Sequence, residues 1–120
     1  MKNKSDIEHP KDIKFFVDSF YKKVLQDDIL KVNFIDMDWK YYLPFMYKFW
    51  ESIAFPLEDQ MSWHKQIPQL DELHPLPPTH FQYCVDYFNA SVDAYFEGMI
   101  ANTVKQRAQE IADILGSNRI

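Results

Sequence analysis

Glycine is almost missing from this chain of 120 residues, which contains only two. Tight β-hairpins depend on glycine at their turns, so its scarcity argues against sheets joined by hairpins. Aromatic residues, by contrast, make up 17% of the sequence. Bulky rings of this kind fill the space between packed helices, and they can equally wall a pocket for a large flat ligand. We therefore expect an all-α protein with an aromatic core.

Other scarcities exclude whole classes of function. The one cysteine, Cys84, cannot form an internal disulfide, and the start Met1–Asp6 lacks the apolar run of a signal peptide. Thirteen basic against eighteen acidic side chains give a formal net charge of −5, so no excess of positive charge is available to attract nucleic acid or anionic lipid. No apolar run approaches the ~18 residues of a membrane span. We expect a cytoplasmic protein that binds neither nucleic acid nor membrane.

The length predicts a single domain over residues 1–120, with residues 1–11 frayed and residues 116–120 as a tail. Apolar residues at steps of three and four predict a first amphipathic helix from about Pro10 to about Gln26. A short apolar connector with a single turn follows, up to the next helix.

Asp38 is placed to cap a second, strongly aromatic helix that Pro56 ends. Pro44 lies within its apolar pattern, so this helix either begins near Tyr41 or bends at the proline. After it, a short helix or turn carries His64.

Prolines dominate the segment that follows. Pro68 is expected to break the short helix, and the chain from Pro68 to Pro78 is predicted to be an extended loop. Thr79 is placed to cap a long penultimate helix. Gly98 predicts a break or tight turn of the chain before the last helix, and Gly116 is predicted to lie just beyond the end of that helix.

Several strings in this order resemble the group III truncated haemoglobins. The most specific is Met-Tyr-x-Phe-Trp-Glu-Ser at 46–52. Weaker matches are Phe16–Val24, Asp38-Trp39, Leu43–Ile53, His80-Phe81 and Gln106–Ala112. The resemblance covers about residues 12 to 115. It implies an all-α, globin-like fold of the truncated two-over-two kind.

The resemblance also implies a haem site. Family members ligate the iron through a histidine in a Met-x-x-His pattern, which Met61-Ser-Trp-His64 matches. A neutral imidazole donates to iron and leaves the opposite face open to a gas. Tyr21 matches the tyrosine that hydrogen-bonds the bound gas, and Phe34 matches the phenylalanine packed on the haem plane. The porphyrin would be walled by Met46, Phe81 and Phe88.

The departures from the family lie at the gas-binding side and in the loops. Tyr42 stands where the family commonly has a distal histidine, and Cys84 stands where it has a tryptophan. The loops before Trp39 and before Gln60 are short for the family, which would narrow a haem cavity. The long segment after His64 makes His74 a rival iron ligand.

Two functions from different classes therefore stay open. The first is a haem protein that binds dioxygen or another diatomic gas, with a reductase as a possible partner and with enzyme activity undecided. The second is a globin-like domain that has lost haem and acts as an interaction or structural module. Read without the resemblance, His64 is a surface histidine, Tyr21 a core tyrosine and Cys84 a small buried side chain. No glycine-rich phosphate loop or nucleophile elbow is present, so nucleotide and ordinary hydrolase chemistry have no support.

Overall fold

The computed structural model describes residues 4–57, 63–73 and 76–117. Within these ranges the chain forms helices and two 3₁₀ turns, with no strand. The helices are α1 (Pro10–Val24), α2 (Trp39–Ala54), α3 (Trp63–Leu73), α4 (Phe81–Tyr95) and α5 (Met99–Ser117), and the turns are Lys31–Phe34 and Pro78–His80. Helices α1 and α2 pack as one pair on the pair α4 and α5, and α3 lies against α2 and α5. The all-α, two-over-two prediction is confirmed.

The core between the two helix pairs is built from aromatic rings. The Phe88 ring of α4 contacts the rings of Phe16 and Phe20 from α1, each with a centroid distance of 5.4 Å. On the α2 side, the Trp50 ring lies 4.5 Å from the Phe88 ring. Phe88 thus joins three helices. Among the described residues no helix is long and apolar enough to cross a membrane.

The first helix follows its sequence pattern. Pro10 occupies the first turn, where its missing N–H costs no helical hydrogen bond. The Asp12 carboxylate accepts a hydrogen bond from the His9 N–H at 3.0 Å, which satisfies a backbone donor at the helix start. The buried stripe of α1 consists of Ile13, Phe16, Val17, Phe20, Tyr21 and Val24.

The described part of the N-terminal segment, residues 4–11, is packed, so the prediction that residues 1–11 are frayed is wrong for these residues; residues 1–3 lie outside the described ranges. Ile7 is fully buried. The Asp6 carboxylate accepts hydrogen bonds from Ile100 N–H at 2.9 Å and Ala101 N–H at 2.8 Å, so it caps α5 from the far end of the chain. Gly98, with φ of +149°, leaves room for it, because a Cβ there would lie 2.5 Å from Asp6 Cγ.

Helix α2 begins at Trp39, so the alternative start near Tyr41 is wrong and Pro44 lies inside the helix. Asp38 occupies the N-cap position but its side chain makes no capping hydrogen bond. Its carbonyl oxygen instead accepts the Tyr42 N–H at 2.9 Å. The helix tolerates Pro44 because buried side chains anchor it on both sides of the proline, Tyr42 before it and Met46 after it.

Helix α3 contradicts the predicted break at Pro68. Pro68 lies inside the helix, which continues to Leu73, so the predicted extended loop is wrong for residues 68–73. The proline removes one helical N–H, but Ile67 and Leu70 on either side of it are buried against the core. Burial of two large aliphatic side chains is worth roughly 3–6 kcal/mol, which offsets a proline penalty of about 3 kcal/mol.

The predicted ends of the last two helices also need correction. Thr79 lies within the 3₁₀ turn Pro78–His80 and does not cap α4. The turn runs directly into the helix, because the Phe81 N–H donates to the Pro78 carbonyl oxygen. At the other end of the chain, Gly116 is part of α5, which runs to Ser117. The predicted tail therefore begins later than residue 116.

Candidate functional site

A cavity of about 100 Å³ lies between the two helix pairs, with part of its wall supplied by Leu70 of α3. The structure brings seven of the predicted site residues to its walls. These are Tyr21, Phe34, Tyr42, Met46, Phe81, Cys84 and Phe88. Side chains that are far apart in the sequence thus share one site. Their role as haem contacts stays a prediction.

Sequence reasoning missed the α5 wall of this cavity. Helix α5 contributes Ala108, Ile111, Ala112 and Leu115. Their apolar face is visible in the sequence, because successive residues lie three, one and three positions apart on one side of the helix. Two are alanines, whose small side chains leave free volume beside the rings. Apart from the hydroxyls of the two tyrosines and the indole N–H of Trp50, the cavity is lined by apolar side chains and the Cys84 thiol.

The main polar feature of the cavity is a pair of phenols. The hydroxyl oxygens of Tyr21, on α1, and Tyr42, on α2, lie 2.6 Å apart and share a hydrogen bond. The two side chains are 5% and 4% exposed, respectively. Trp39 packs edge-on against both rings, at 5.5 Å from Tyr21 and 5.8 Å from Tyr42, which holds the pair in place.

Burial keeps both phenols protonated. It raises the pKa of Tyr21 well above its ordinary value, and the neighbouring Tyr42 raises it further. The pKa of Tyr42 is also raised by burial, although its hydrogen bond with Tyr21 acts in the opposite direction. At neutral pH both phenols therefore keep their O–H groups and cannot act as a general base.

Cys84 is an apolar part of the wall. Burial raises the pKa of its thiol to about 12, with a further contribution from the negative charge of Asp27. The thiol is therefore protonated at neutral pH. The thiolate that would be needed for coordination or nucleophilic attack is disfavoured in this environment.

The segment from Asp27 to Phe34 is tied to α4 and to the 3₁₀ turn before it by two polar contacts that sequence reasoning did not find. Asp27 accepts a hydrogen bond from the Tyr87 hydroxyl at 2.5 Å, and this bond is the main reason its pKa is lowered. Asn33 Nδ2 lies 3.0 Å from His80 Nδ1. These contacts fix the 3₁₀ turn, so that Phe34 stacks on Trp39 at 5.7 Å beside the phenol pair.

The candidate iron ligands lie at or beyond the edge of what is described. The backbone of His64 belongs to the first turn of α3, but its side chain lies outside the described residues, as does all of His74. The choice between the two is therefore still open. Within the described ranges no group of three or more His, Cys, Asp or Glu side chains is arranged to hold a metal ion.

Comparison with solved structures identifies the fold. The chain is similar to the crystal structure of a group III truncated hemoglobin from Campylobacter jejuni, with a TM-score of 0.75 and 23% sequence identity. The match covers 96% of this chain and 94% of that chain. No protein-family model matches the sequence, and no curated protein does. The predicted globin-like, truncated two-over-two fold is confirmed.

Proposed function

We propose that the protein binds haem in this cavity, with His64 as the axial ligand of the iron, and holds a small diatomic gas such as dioxygen. The observation that supports this most is the buried phenol pair of Tyr21 and Tyr42 in an otherwise apolar cavity of a globin-like fold. Burying polar groups among apolar side chains costs free energy unless they are hydrogen-bonded. A bound gas that accepts a hydrogen bond would give these phenols a further partner.

The chemistry of the wall fits a haem. Phe34, Phe81 and Phe88 offer ring faces and edges to a flat apolar macrocycle, and Met46 offers an adaptable side chain. Bound haem would supply an iron atom with one position open to a gas. His64 would hold it from the α3 side, and His74 is the alternative ligand.

The phenol pair would select the ligand. The two hydroxyls are hydrogen-bonded to each other at 2.6 Å. When an acceptor enters the cavity, rotation of one hydroxyl allows the pair to donate to it. A gas that becomes partly negative on binding gains more from such a bond than a gas that stays apolar.

The volume of the cavity sets a condition on this proposal. Sites for cofactors and other small molecules have volumes of roughly 300–1,000 Å³, several times the 100 Å³ seen here. A wall must therefore move outward to admit haem. Helix α3 is the wall that yields at least cost, because it has only 11 residues and contains Pro68.

Titration of the haem-free protein with haemin tests the proposal. We expect a Soret band that saturates at about one equivalent, together with changes in the amide signals of α3. Tyr21→Phe should still load haem, because this substitution leaves the proposed iron ligand His64 unchanged. A well-folded protein that takes up no haem would refute the proposal.

The cavity volume also favours a second candidate, a globin-like domain that works without haem. On this account the aromatic side chains have closed the space a porphyrin would need, and the phenol pair is a structural hydrogen bond between α1 and α2. Failure to bind haem, with the helical fold intact, would support this candidate.

We also propose a cellular compartment and a protein partner for the haem protein. A single cysteine without a disulfide partner suits the reducing cytoplasm, where we place the protein. A reductase is the partner that would keep a gas-binding iron reduced. Such a partner should be sought after haem loading has been established.

A further inference from the structure

The start of α3 is held to α5 by a cation–π contact. The guanidinium carbon of Arg107 lies 5.8 Å from the centroid of the Trp63 ring, within the range in which such contacts are attractive. Arg107 Nη1 also donates to both carboxylate oxygens of Glu110, at 3.1 and 3.0 Å. Glu110 therefore orients the guanidinium that faces Trp63.

This contact acts on the first turn of α3, at the residue with which the helix begins. The buried residues Ile67 and Leu70 lie one and two turns further along the helix. Helices of this length are marginal without tertiary contacts, and Pro68 removes a helical hydrogen bond. The position of the first turn therefore depends on how Trp63 is held, and Trp63 is only partly buried against the core.

We infer that Arg107 is a positioning residue for the iron ligand, acting through Trp63 on the first turn of α3. The inference rests on the proposed function, in which His64 ligates haem. The backbone of His64 directly follows Trp63 in the same helical turn, so a displacement of Trp63 displaces the backbone of His64. Arg107 itself is not a wall of the cavity.

The first test uses the haem-free protein. Loss of a cation–π contact at a partly exposed site should speed amide hydrogen exchange at Ile67 and Gln69, whose N–H groups bond back to the first turn of α3, by about two- to five-fold. We expect this in Arg107→Ala, and a smaller change in Arg107→Lys, which keeps a cation. Lys105→Ala is the matched control. It removes one positive charge from the same helix, but Lys105 pairs with Asp93 at 2.6 Å, away from α3.

The second test measures the rate at which haem passes from the loaded protein to excess apomyoglobin. Arg107→Ala should accelerate the transfer by about two- to five-fold, Arg107→Lys should restore most of the wild-type rate, and Lys105→Ala should leave it unchanged. In a His64→Ala background, Arg107→Ala should add nothing further. That lack of additivity separates positioning of His64 from a general loss of stability.

Four outcomes would overturn the inference. One is unchanged exchange in α3, and another is equal acceleration in Lys105→Ala. A third is faster exchange in α3 with unchanged haem transfer, which would leave the haem proposal standing. The fourth is an additional effect of Arg107→Ala in the His64→Ala background. If wild-type protein takes up no haem, the proposed function has failed before any variant is compared, and the inference fails with it.

Discussion

The hydroxyl oxygens of Tyr21 and Tyr42 lie 2.6 Å apart across the junction of α1 and α2. The bond joins two helices of the same pair, and both tyrosines line the otherwise largely apolar cavity. It is therefore both a structural link and the centre of the proposed site. Substitutions can separate these two roles.

Tyr21→Phe should weaken both the fold and the retention of a gas. The free energy of unfolding should fall by about 1 kcal/mol, because one buried hydrogen bond is lost. In the haem-loaded protein, dioxygen should dissociate about ten- to a hundred-fold faster, as expected for loss of a hydrogen bond to a partly charged ligand. Stopped-flow displacement of the gas measures this rate.

Tyr41→Phe is the matched control, because Tyr41 neighbours Tyr42 but is 49% exposed. It should leave dissociation unchanged. If Tyr21→Phe behaves like Tyr41→Phe in the loaded protein, the phenol pair has only a structural role.

We expect the buried thiol of Cys84 to lower the free energy of unfolding at alkaline pH. Burial raises the pKa of its thiol to about 12, whereas a thiol in an unfolded chain ionises near about 8.5. The folded state thus keeps a proton that the unfolded state has lost. The stabilising contribution is complete below the unfolded pKa and disappears as the pH rises towards 12. Between these values the slope should approach about 1.4 kcal/mol per pH unit.

Urea unfolding at a series of pH values from about 8 to about 11 measures this slope. Cys84→Ala should lower stability near pH 8, because it leaves a small void, but it should flatten the alkaline fall, so the difference in stability between the two proteins should shrink as the pH rises. The contributions of Tyr21 and Tyr42 are common to both proteins. Equal slopes in the two proteins would mean that the thiol is not protected as described.

Asp6 should stabilise α5 as an N-cap residue does. Asp6→Ala removes the acceptor for the backbone N–H groups of Ile100 and Ala101 and should cost about 1 kcal/mol. The amides of those two residues should lose protection against hydrogen exchange. Glu8→Ala, an exposed acidic residue of the same segment, should have little effect. Equal losses in the two variants would show that charge, rather than the cap, is responsible.

The sequence predicted the helices that have long apolar stripes. It did not predict helix ends that are set by residues far away in the chain. The spacing of apolar residues located α1, α2 and the body of α4 and α5. It could not show that a carboxylate at position 6 caps a helix beginning at residue 99, because nothing local marks that contact. Thr79 was predicted as a cap on local grounds, but the 3₁₀ turn at Pro78 took its place.

The candidate site was predicted mainly through family resemblance. Residue chemistry alone would not have separated Tyr21 from an ordinary core tyrosine, because its significance arises from the hydroxyl of Tyr42, which is 21 positions away. The α5 wall was missed for a different reason. Ala108 and Ala112 are also expected in any well-packed helix, so an apolar face that contains them does not distinguish a cavity wall from ordinary core packing.

Pro68 is the clearest case of burial prevailing over a local signal, and it gives a further prediction. Pro68→Ala restores a helical N–H in the middle of α3. Since Pro68 is exposed, no packing is lost, and the free energy of unfolding should rise by about 1–2 kcal/mol after allowing for a more flexible unfolded chain. Amide exchange in α3 should slow. Pro77→Ala, outside the helices, should give no such gain, and a Pro68 variant without any gain would contradict this account of α3.

The absorption spectrum of the protein, expressed with excess haem precursor, tests the central claim most directly. It should be recorded beside His64→Ala and His74→Ala. Our account predicts a Soret band with about one haem per chain, lost or shifted in His64→Ala and unchanged in His74→Ala. A band that depends on His74 would move the ligand and remove the role assigned to His64. A well-folded wild-type protein without stoichiometric haem would contradict the account.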